Sequence, residues 1–356
     1  MRDSIPLIYA LYCSSLNGTE RMALATAWGL RHDYSPVLLM PPGPAADEAR
    51  RMGLQVIEAS SLWAFTIHLA YYLARNPRIA FLPTRTVHSL ILLAMNLLFR
   101  RRVAHLHMVH GGADEAHSYG QKRRLNHLPV ALVAVSAFVR ERLLAHGVRD
   151  QQIHVVENFL TDERTAVTPR RGPFRHAGVR RGAVIGRLVP GKRVDLLLTC
   201  LEQRPELNSI AFHVYGTGSD RDALQARAAI AGLNVIFEGF RSDVAEQLAQ
   251  ADFLLHLCPD DPCPLVILEA MAADVPVVVP DCGGAGFMID DRSSGLRFAA
   301  NDAEGLGVCL AALREAQPDQ LNSLVTTARA TLSTRFSQRE RLRDLRLLIS
   351  ARLGAS

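Results

Sequence analysis

Short apolar runs and amphipathic stretches take turns along this chain, and their order predicts the elements. Pro6–Ser14 is an apolar, strand-like opening; it gives way to the polar turn Leu16-Asn17-Gly18-Thr19-Glu20-Arg21 and a helical run over Met22–Leu30. Val37–Met40, Leu54–Glu58, Ile79–Leu82, Ala104–Val109 and Val130–Val135 read as further strands, with helical periodicity between them. Alternation of this kind predicts a parallel sheet with helices on its faces. The stretch Thr161–Arg175 (TDERTAVTPRRGPFR) is polar and carries two prolines and a glycine, so it reads as an interdomain linker. A second α/β series follows. Its strands are expected at Ala183–Ile185, Ala211–Tyr215, Asn234–Phe237, Phe253–Leu257 and Val275–Val279. Its helices are expected at Val194–Leu201, Asp220–Ala231, Asp243–Gln250 and Pro264–Ala273, and Ser337–Leu353 is a charged amphipathic helix.

Length agrees with that division: 356 residues exceed one ordinary core and suit two domains of about 150–200 residues each. Hydrophobic residues make up 49% and charged residues 21%, so nothing points to disorder. The longest apolar run, Leu90–Phe99, is closed by Arg100-Arg101-Arg102; a spanning helix needs about 20 residues, so it does not cross a bilayer. Burial on the sheet is the favoured reading, and partial immersion in a lipid interface the other. Net charge is +5, and the excess sits in the first half: residues 1–165 carry 18 Lys/Arg against 13 Asp/Glu, residues 166–356 carry 22 of each. That bias suits an anionic membrane face or a phosphorylated substrate and is too weak for nucleic acid. Six cysteines without a Cys-x-x-Cys pair argue against zinc and against a disulfide framework, and point to the cytoplasm.

Four segments of the second half carry chemistry. Gly186-Arg187-Leu188-Val189-Pro190-Gly191-Lys192 follows a strand, and two cations at a strand's C-terminal end can clamp a diphosphate. Gly216-Thr217-Gly218 is a turn that lets backbone approach a ligand, with Arg221 where a dinucleotide fingerprint needs its third glycine. Asp260-Asp261-Pro262-Cys263-Pro264 leads into a helix bearing Glu269, and Leu265 and Val266 offer its free N–H groups. The carboxylates of Asp261 and Glu269 can accept from sugar hydroxyls. Gly283-Gly284 is a glycine-rich turn whose N–H groups can meet phosphate or sugar oxygens. Taken singly, each piece is equally a solvated charge, a helix cap or a tight turn.

Taken together, in order and spacing, these pieces resemble the C-terminal half of the GT-B fold retaining glycosyltransferases of family 4, the glycosyl transferases group 1. The shared pattern is Gly186-Arg187-Leu188 with Lys192, Gly216-Thr217-Gly218, Phe237-Glu238-Gly239, two acids separated by seven residues (Asp261 and Glu269) and Gly283-Gly284. In the first half, Asn17-Gly18-Thr19-Glu20-Arg21 resembles the acceptor-side loop, His107-Met108-Val109-His110-Gly111 the His-bearing strand end, and Ala134-Val135-Ser136 and Val156-Glu157-Asn158-Phe159 the segments before the linker. Two positions depart from the pattern: Asp261 stands where Glu is usual, and Phe287 where Glu often follows the Gly-Gly turn.

The resemblance implies an α/β GT-B architecture, two Rossmann-like domains facing across a cleft. Residues 1–160 would bind the acceptor, 161–175 link, 176–336 bind the nucleotide sugar, and the 337–356 helix pack back towards the first domain. Arg187 and Lys192 would neutralise the leaving diphosphate, helped by the N–H groups of Leu265 and Val266. Glu269 would hold the ribose, Asp261 a hydroxyl of the transferred sugar, His110 would sit near the reacting sugar, and Gly18 would let its loop approach the phosphates. Gly186, Gly216, Gly218, Gly283 and Gly284 complete the donor site. No cofactor and no metal are expected; the nucleotide diphospho-sugar is a co-substrate, and a glycan or lipid-linked acceptor its partner. A sugar-nucleotide epimerase of related fold, or a non-catalytic sugar-nucleotide-binding pseudoenzyme, are the competing functions.

Overall fold

The computed structural model describes residues 4–112 and 114–354, and the chain forms two compact units, residues 1–159 with 338–356 and residues 160–337. In the first, β1 (Pro6–Ala10), α1 (Gly18–Gly29), β2 (Ser35–Met40), α2 (Pro44–Arg51), β3 (Gln55–Glu58) and α3 (Leu62–Arg75) lead to β4 (Arg78–Pro83) and α4 (Thr86–Phe99). Then come β5 (Arg102–Val109), α5 (Glu115–Ser118), β6 (Ala131–Ala134), α6 (Ala137–Ala145) and β7 (Ile153–Val155). The seven strands are parallel in the order β3-β2-β1-β4-β5-β6-β7. β1 therefore lies between β2 and β4, with Ile8 opposite both Val37 and Phe81.

The second unit holds α7 (Asp162–Val167), β8 (Arg181–Ile185), α8 (Val194–Gln203), β9 (Ala211–Tyr215), α9 (Arg221–Ile230), β10 (Val235–Gly239), α10 (Val244–Ala249) and β11 (Phe253–Leu255). It continues through α11 (Leu265–Ala272), β12 (Val277–Pro280), α12 (Gly283–Met288), β13 (Leu296–Phe298), α13 (Ala303–Glu315) and α14 (Pro318–Thr334). Its six parallel strands run β10-β9-β8-β11-β12-β13. In each sheet the strand order reverses beside the first strand, between β1 and β4 and between β8 and β11. A crevice opens outside the strand ends at such a point, so the topology alone nominates two places for ligands. The last helix, α15 (Gln338–Leu353), packs against β5 of the first unit and buries Leu342, Leu345, Ile349 and Leu353.

Three expectations change here. The stretch 161–175 is no free tether: Thr161 caps α7, Arg171 and Arg170 reach Asp252 and Asp274 (2.6 and 2.5 Å), and Phe174 is buried in the second core. Its charges find partners, so polar composition marks docking rather than slack. The Gly283-Gly284 turn opens a short helix, α12. The apolar run of α4 is buried only on one side. Phe65, Leu69 and Leu73 of α3 and Leu92 of α4 enter the core, while Leu97 (80% exposed) and Leu98 (82%) stay outside it. On α3, Trp63 (77% exposed), Ile67 and Tyr71 recur every fourth residue on the outer face. Both helices are apolar on more sides than one sheet can cover.

Candidate functional site

At the switch point of the second sheet, β8 runs out through Gly186 and Arg187 into a 3-10 turn, Pro190–Lys192, and β11 runs out through His256 and Cys258. A small polar pocket between these two strand ends is lined by Gly186, Arg187, Lys192, His256 and Cys258. Lys192 Nζ donates to Asp261 Oδ2 at 2.5 Å, joining the β8 turn to the loop before α11. Burial works against the Lys192 ammonium, and the Asp261 carboxylate beside it more than restores it, so its pKa is raised. Burial likewise opposes the Asp261 charge, and Lys192 with His256 holds its pKa below the ordinary value. His256 is pushed down to about 4 by burial and stays neutral at pH 7. Arg187 is exposed and makes no ion pair among the described residues, so its charge is uncommitted.

α11 starts from Pro264 with no side-chain cap, and Ile267 N–H is the first to return to Pro264. The N–H groups of Leu265 and Val266 are thus left over, as at any uncapped helix start, and lie next to Asp261 in sequence. Glu269, one turn on, is held by Arg164 Nη2 at 2.6 Å. That partner comes from α7, inside the stretch expected to be linker.

The glycines serve the chain before they serve a ligand. A Cβ at Gly216 would lie 1.9 Å from the Gly186 carbonyl oxygen, and one at Gly218 2.1 Å from that of Leu188. At Gly283 and Gly284 a Cβ would meet the carbonyl oxygens of Pro259 and Pro262 at 2.2 and 2.1 Å. These four positions let the strand-end loops touch one another, which fixes the pocket's walls. Gly186 differs: nothing lies within 4 Å of its would-be Cβ, so the space above it is open.

Sequence reasoning missed the neighbouring cavity of about 240 Å³, where Phe240, Arg241 and Val244 face Ile185, Gly186, Arg187 and Gly216. Phe240 is mostly exposed. An aromatic directly after Phe237-Glu238-Gly239 was the available signal, and it offers a flat apolar surface of the kind a nucleobase stacks on.

A metal-ligand set is also present: His256, Cys258 and Asp261 bring one donor atom each to within 4.8 Å of one another. It is the sole such group among the described residues. The Lys192 ammonium already sits on Asp261, so a cation there would have to displace it.

In the first unit, His110 follows β5 and opens onto a cavity of about 580 Å³ beside Tyr12, Thr19, Arg85 and Lys122. The Tyr9 hydroxyl lies 3.3 Å from His110 Nε2, and burial pushes His110 down to about 4, so the ring is neutral at pH 7. Gly18 is the first residue of α1, next to Thr19 of the cavity wall, and the loop is braced by Asn17 N–H donating to Glu20 at 2.9 Å. His107, by contrast, is a core residue: it shares the Ser89 hydroxyl with His105, at 2.8 and 2.9 Å. The structure therefore groups Arg187, Lys192, Gly186 and Asp261 in one unit and His110 with Gly18's helix in the other.

Two family descriptions match the chain: "Glycosyltransferase Family 4" over residues 16–164 and "Glycosyl transferases group 1" over residues 180–315. A GDP-mannose-dependent alpha-mannosyltransferase of Mycobacterium tuberculosis is 28% identical over 190 residues, 51% of this chain and 47% of that protein. The lipopolysaccharide 1,6-galactosyltransferase of Salmonella typhimurium is 28% identical over 158 residues, 42% of each. The matched stretch thus spans less than half the length of either curated relative. Among solved structures, Anabaena Alr3699/HepE in complex with UDP superposes with a TM-score of 0.80 at 16% identity, covering 98% of this chain and 100% of that one. A glycosyltransferase from Rickettsia africae gives 0.80 at 17% identity, covering 99% and 100%. At that identity the likeness speaks for the GT-B fold.

Proposed function

The chain belongs to the group 1 glycosyltransferases of family 4, and from that premise we propose that it moves a sugar from a nucleotide diphospho-sugar to a hydroxyl of a glycan or lipid-linked acceptor. The observation that carries the reading is the β8–β11 constellation: an uncommitted Arg187, Lys192 beside Asp261, and the open start of α11 at Leu265 and Val266. A sugar leaving its diphosphate builds negative charge on the phosphate oxygens. Two cations and two N–H donors arranged in advance lower the energy of that state without reorganising at the moment of reaction. In the proposed site Arg187 and Lys192 take the diphosphate, Glu269 the ribose after leaving Arg164, Asp261 a hydroxyl of the transferred sugar, and Phe240 the base. His110, neutral at pH 7, presents a hydrogen-bonding ring to the sugar. Transfer is proposed to retain anomeric configuration and to need no metal, the cations of the chain supplying the charge.

Relatives support the substrate class. Anabaena Alr3699/HepE has been crystallised with UDP and glucose, one curated relative depends on GDP-mannose, and another builds lipopolysaccharide. Synthesis of a cell-surface polysaccharide is the setting we propose, with the protein cytoplasmic and peripheral on the inner face of the membrane. No helix among the described residues is long and apolar enough to cross a membrane. The outer faces of α3 and α4 suit a bilayer surface: Tyr71, Leu97 and Leu98 are exposed where Arg75, Arg78, Arg100 and Arg102 are also exposed. Arg101 pins the two helix ends together through the Leu73 and Ala74 carbonyls. Apolar side chains among arginines match anionic headgroups over acyl chains. Pelleting with anionic but not neutral liposomes is expected, and no pelleting with either would remove the membrane from the proposal.

The reaction is tested by nucleotide release from a panel of UDP-, GDP- and ADP-sugars, with and without chelator. Release from one donor, undisturbed by chelator, is expected. Absence of any nucleotide binding would overturn the proposal.

A further inference from the structure

We propose that the cavity of the first unit binds the phosphate of a phosphorylated acceptor, at the start of α4 between Arg85, Thr86 and Lys122; this rests on the transferase reading above. The cavity sits outside the ends of β1, β4 and β5, at the switch point of the first sheet, and every residue lining it belongs to that unit.

Its electrostatics are one-sided. Lys122 is 5% exposed, and its ammonium donates to the His117 carbonyl at 3.2 Å, with no carboxylate in ion-pair reach among the described residues. Burial, and then the charge of Arg85, push its pKa down to about 8, so at pH 7 most of the ammonium remains charged. A buried ammonium without a counter-ion costs free energy, and a protein retains one where a ligand supplies the opposite charge. Arg85 is exposed and lies over the Tyr12 ring at 4.8 Å, again with no acid partner among the described residues.

Two further donors converge there. Thr86 is 4% exposed, and its Oγ1 is buried with no hydrogen-bond partner although the residue lines the cavity. Thr86 also begins α4, a fourteen-residue helix whose N-cap, Arg85, provides no side-chain cap. The amides of Thr86 and Val87 therefore face outward with the positive end of the helix dipole behind them. The acid at the rim, Asp114, is engaged by the ring and amide of His117 at 2.9 and 3.1 Å. Guanidinium, ammonium, hydroxyl and helix amides together form a cradle for a tetrahedral oxyanion, and a volume of about 580 Å³ leaves room for the sugar or lipid stub that carries it.

The test uses the full chain and four probes: glucose 1-phosphate, glucose, inorganic phosphate and UDP. Calorimetric titration is expected to show binding of glucose 1-phosphate and no binding of glucose at the same concentrations. Arg85→Ala, which alters only an exposed side chain, and Lys122→Met are each expected to weaken glucose 1-phosphate at least about tenfold while UDP affinity stays within about twofold. Binding of inorganic phosphate as tight as glucose 1-phosphate, and lost in the same variants, would reduce the site to a free-phosphate site and overturn the acceptor assignment. Loss of UDP affinity alongside would assign the cations to the donor's diphosphate instead. Equal binding in wild type and both variants, or none in wild type, would also overturn it. Failure of the transferase reading is separate, since it would appear as absent UDP binding in the unaltered chain.

Discussion

Arg187 and Lys192 both stand at the end of β8, yet they are in different electrostatic circumstances. Lys192 is tied to Asp261, and removing either partner leaves a partly buried charge uncompensated, so such variants mix folding with chemistry. Arg187 is exposed and uncommitted, which makes it the cleaner probe. Arg187→Ala is expected to leave the melting temperature unchanged, a stability effect within about 0.5 kcal/mol. Turnover of the nucleotide sugar should fall about 100-fold, as for loss of one preorganised charge stabiliser. Wild-type turnover would remove Arg187 from the site. The spacing of Arg187 and Lys192 after an apolar strand was legible from the sequence because strand ends collect ligands. The Lys192–Asp261 pair, 69 residues apart, and the Arg164–Glu269 pair were not, since no local pattern records which distant side chains meet. Phe240 was overlooked for the opposite reason: one aromatic after a strand carries no signal until the chain around it is folded.

At the scale of elements, α4 and β5 enclose a layer of histidines that the apolar pattern did not reveal. His88 stacks on Phe65, while His105 and His107 share the Ser89 hydroxyl. Burial pushes His88 down to about 4 and His105 to about 3, and His107 well below the ordinary value. In the unfolded chain these rings take a proton below about pH 6.5, whereas the folded chain refuses it until about pH 4. The stability they allow is thus fully present above pH 6.5 and is lost as pH falls towards 4, at about 1.4 kcal/mol per pH unit for each ring. Thermal melts from pH 7.5 to 4.5 should show that decline, and His105→Gln, which keeps a donor and acceptor for Ser89, should flatten it. An unchanged slope would mean that other groups govern acid sensitivity. Strand–helix alternation did predict these elements, because period-2 and period-3.6 patterns survive in sequence. It failed where an element is apolar on several sides, as α4 is at Leu97 and Leu98, since periodicity then no longer tells which side faces the core.

For the whole molecule, α15 decides the integrity of the first unit. Leu342 lies against Gly29, so closely that a Cβ there would meet it at 2.3 Å, and Arg346 reaches Asp33 at 2.6 Å. Burying Leu342, Leu345, Ile349 and Leu353 contributes about 1.5–3 kcal/mol each, in sum comparable to the net stability of a domain. A chain ending at Ser337 should therefore lose the first unit's calorimetric transition and keep that of the second, whose residues are contiguous. Two surviving transitions would show α15 to be dispensable. The same arrangement gives synthesis on the ribosome a definite order. Strand β5 is made early, but the helix that covers it follows the entire second unit, roughly ten to thirty-five seconds later at ordinary elongation rates. Through that interval the nascent chain carries a finished second unit and an uncovered apolar wall on the first, a natural stopping place for a chaperone. The unit begun first is completed last.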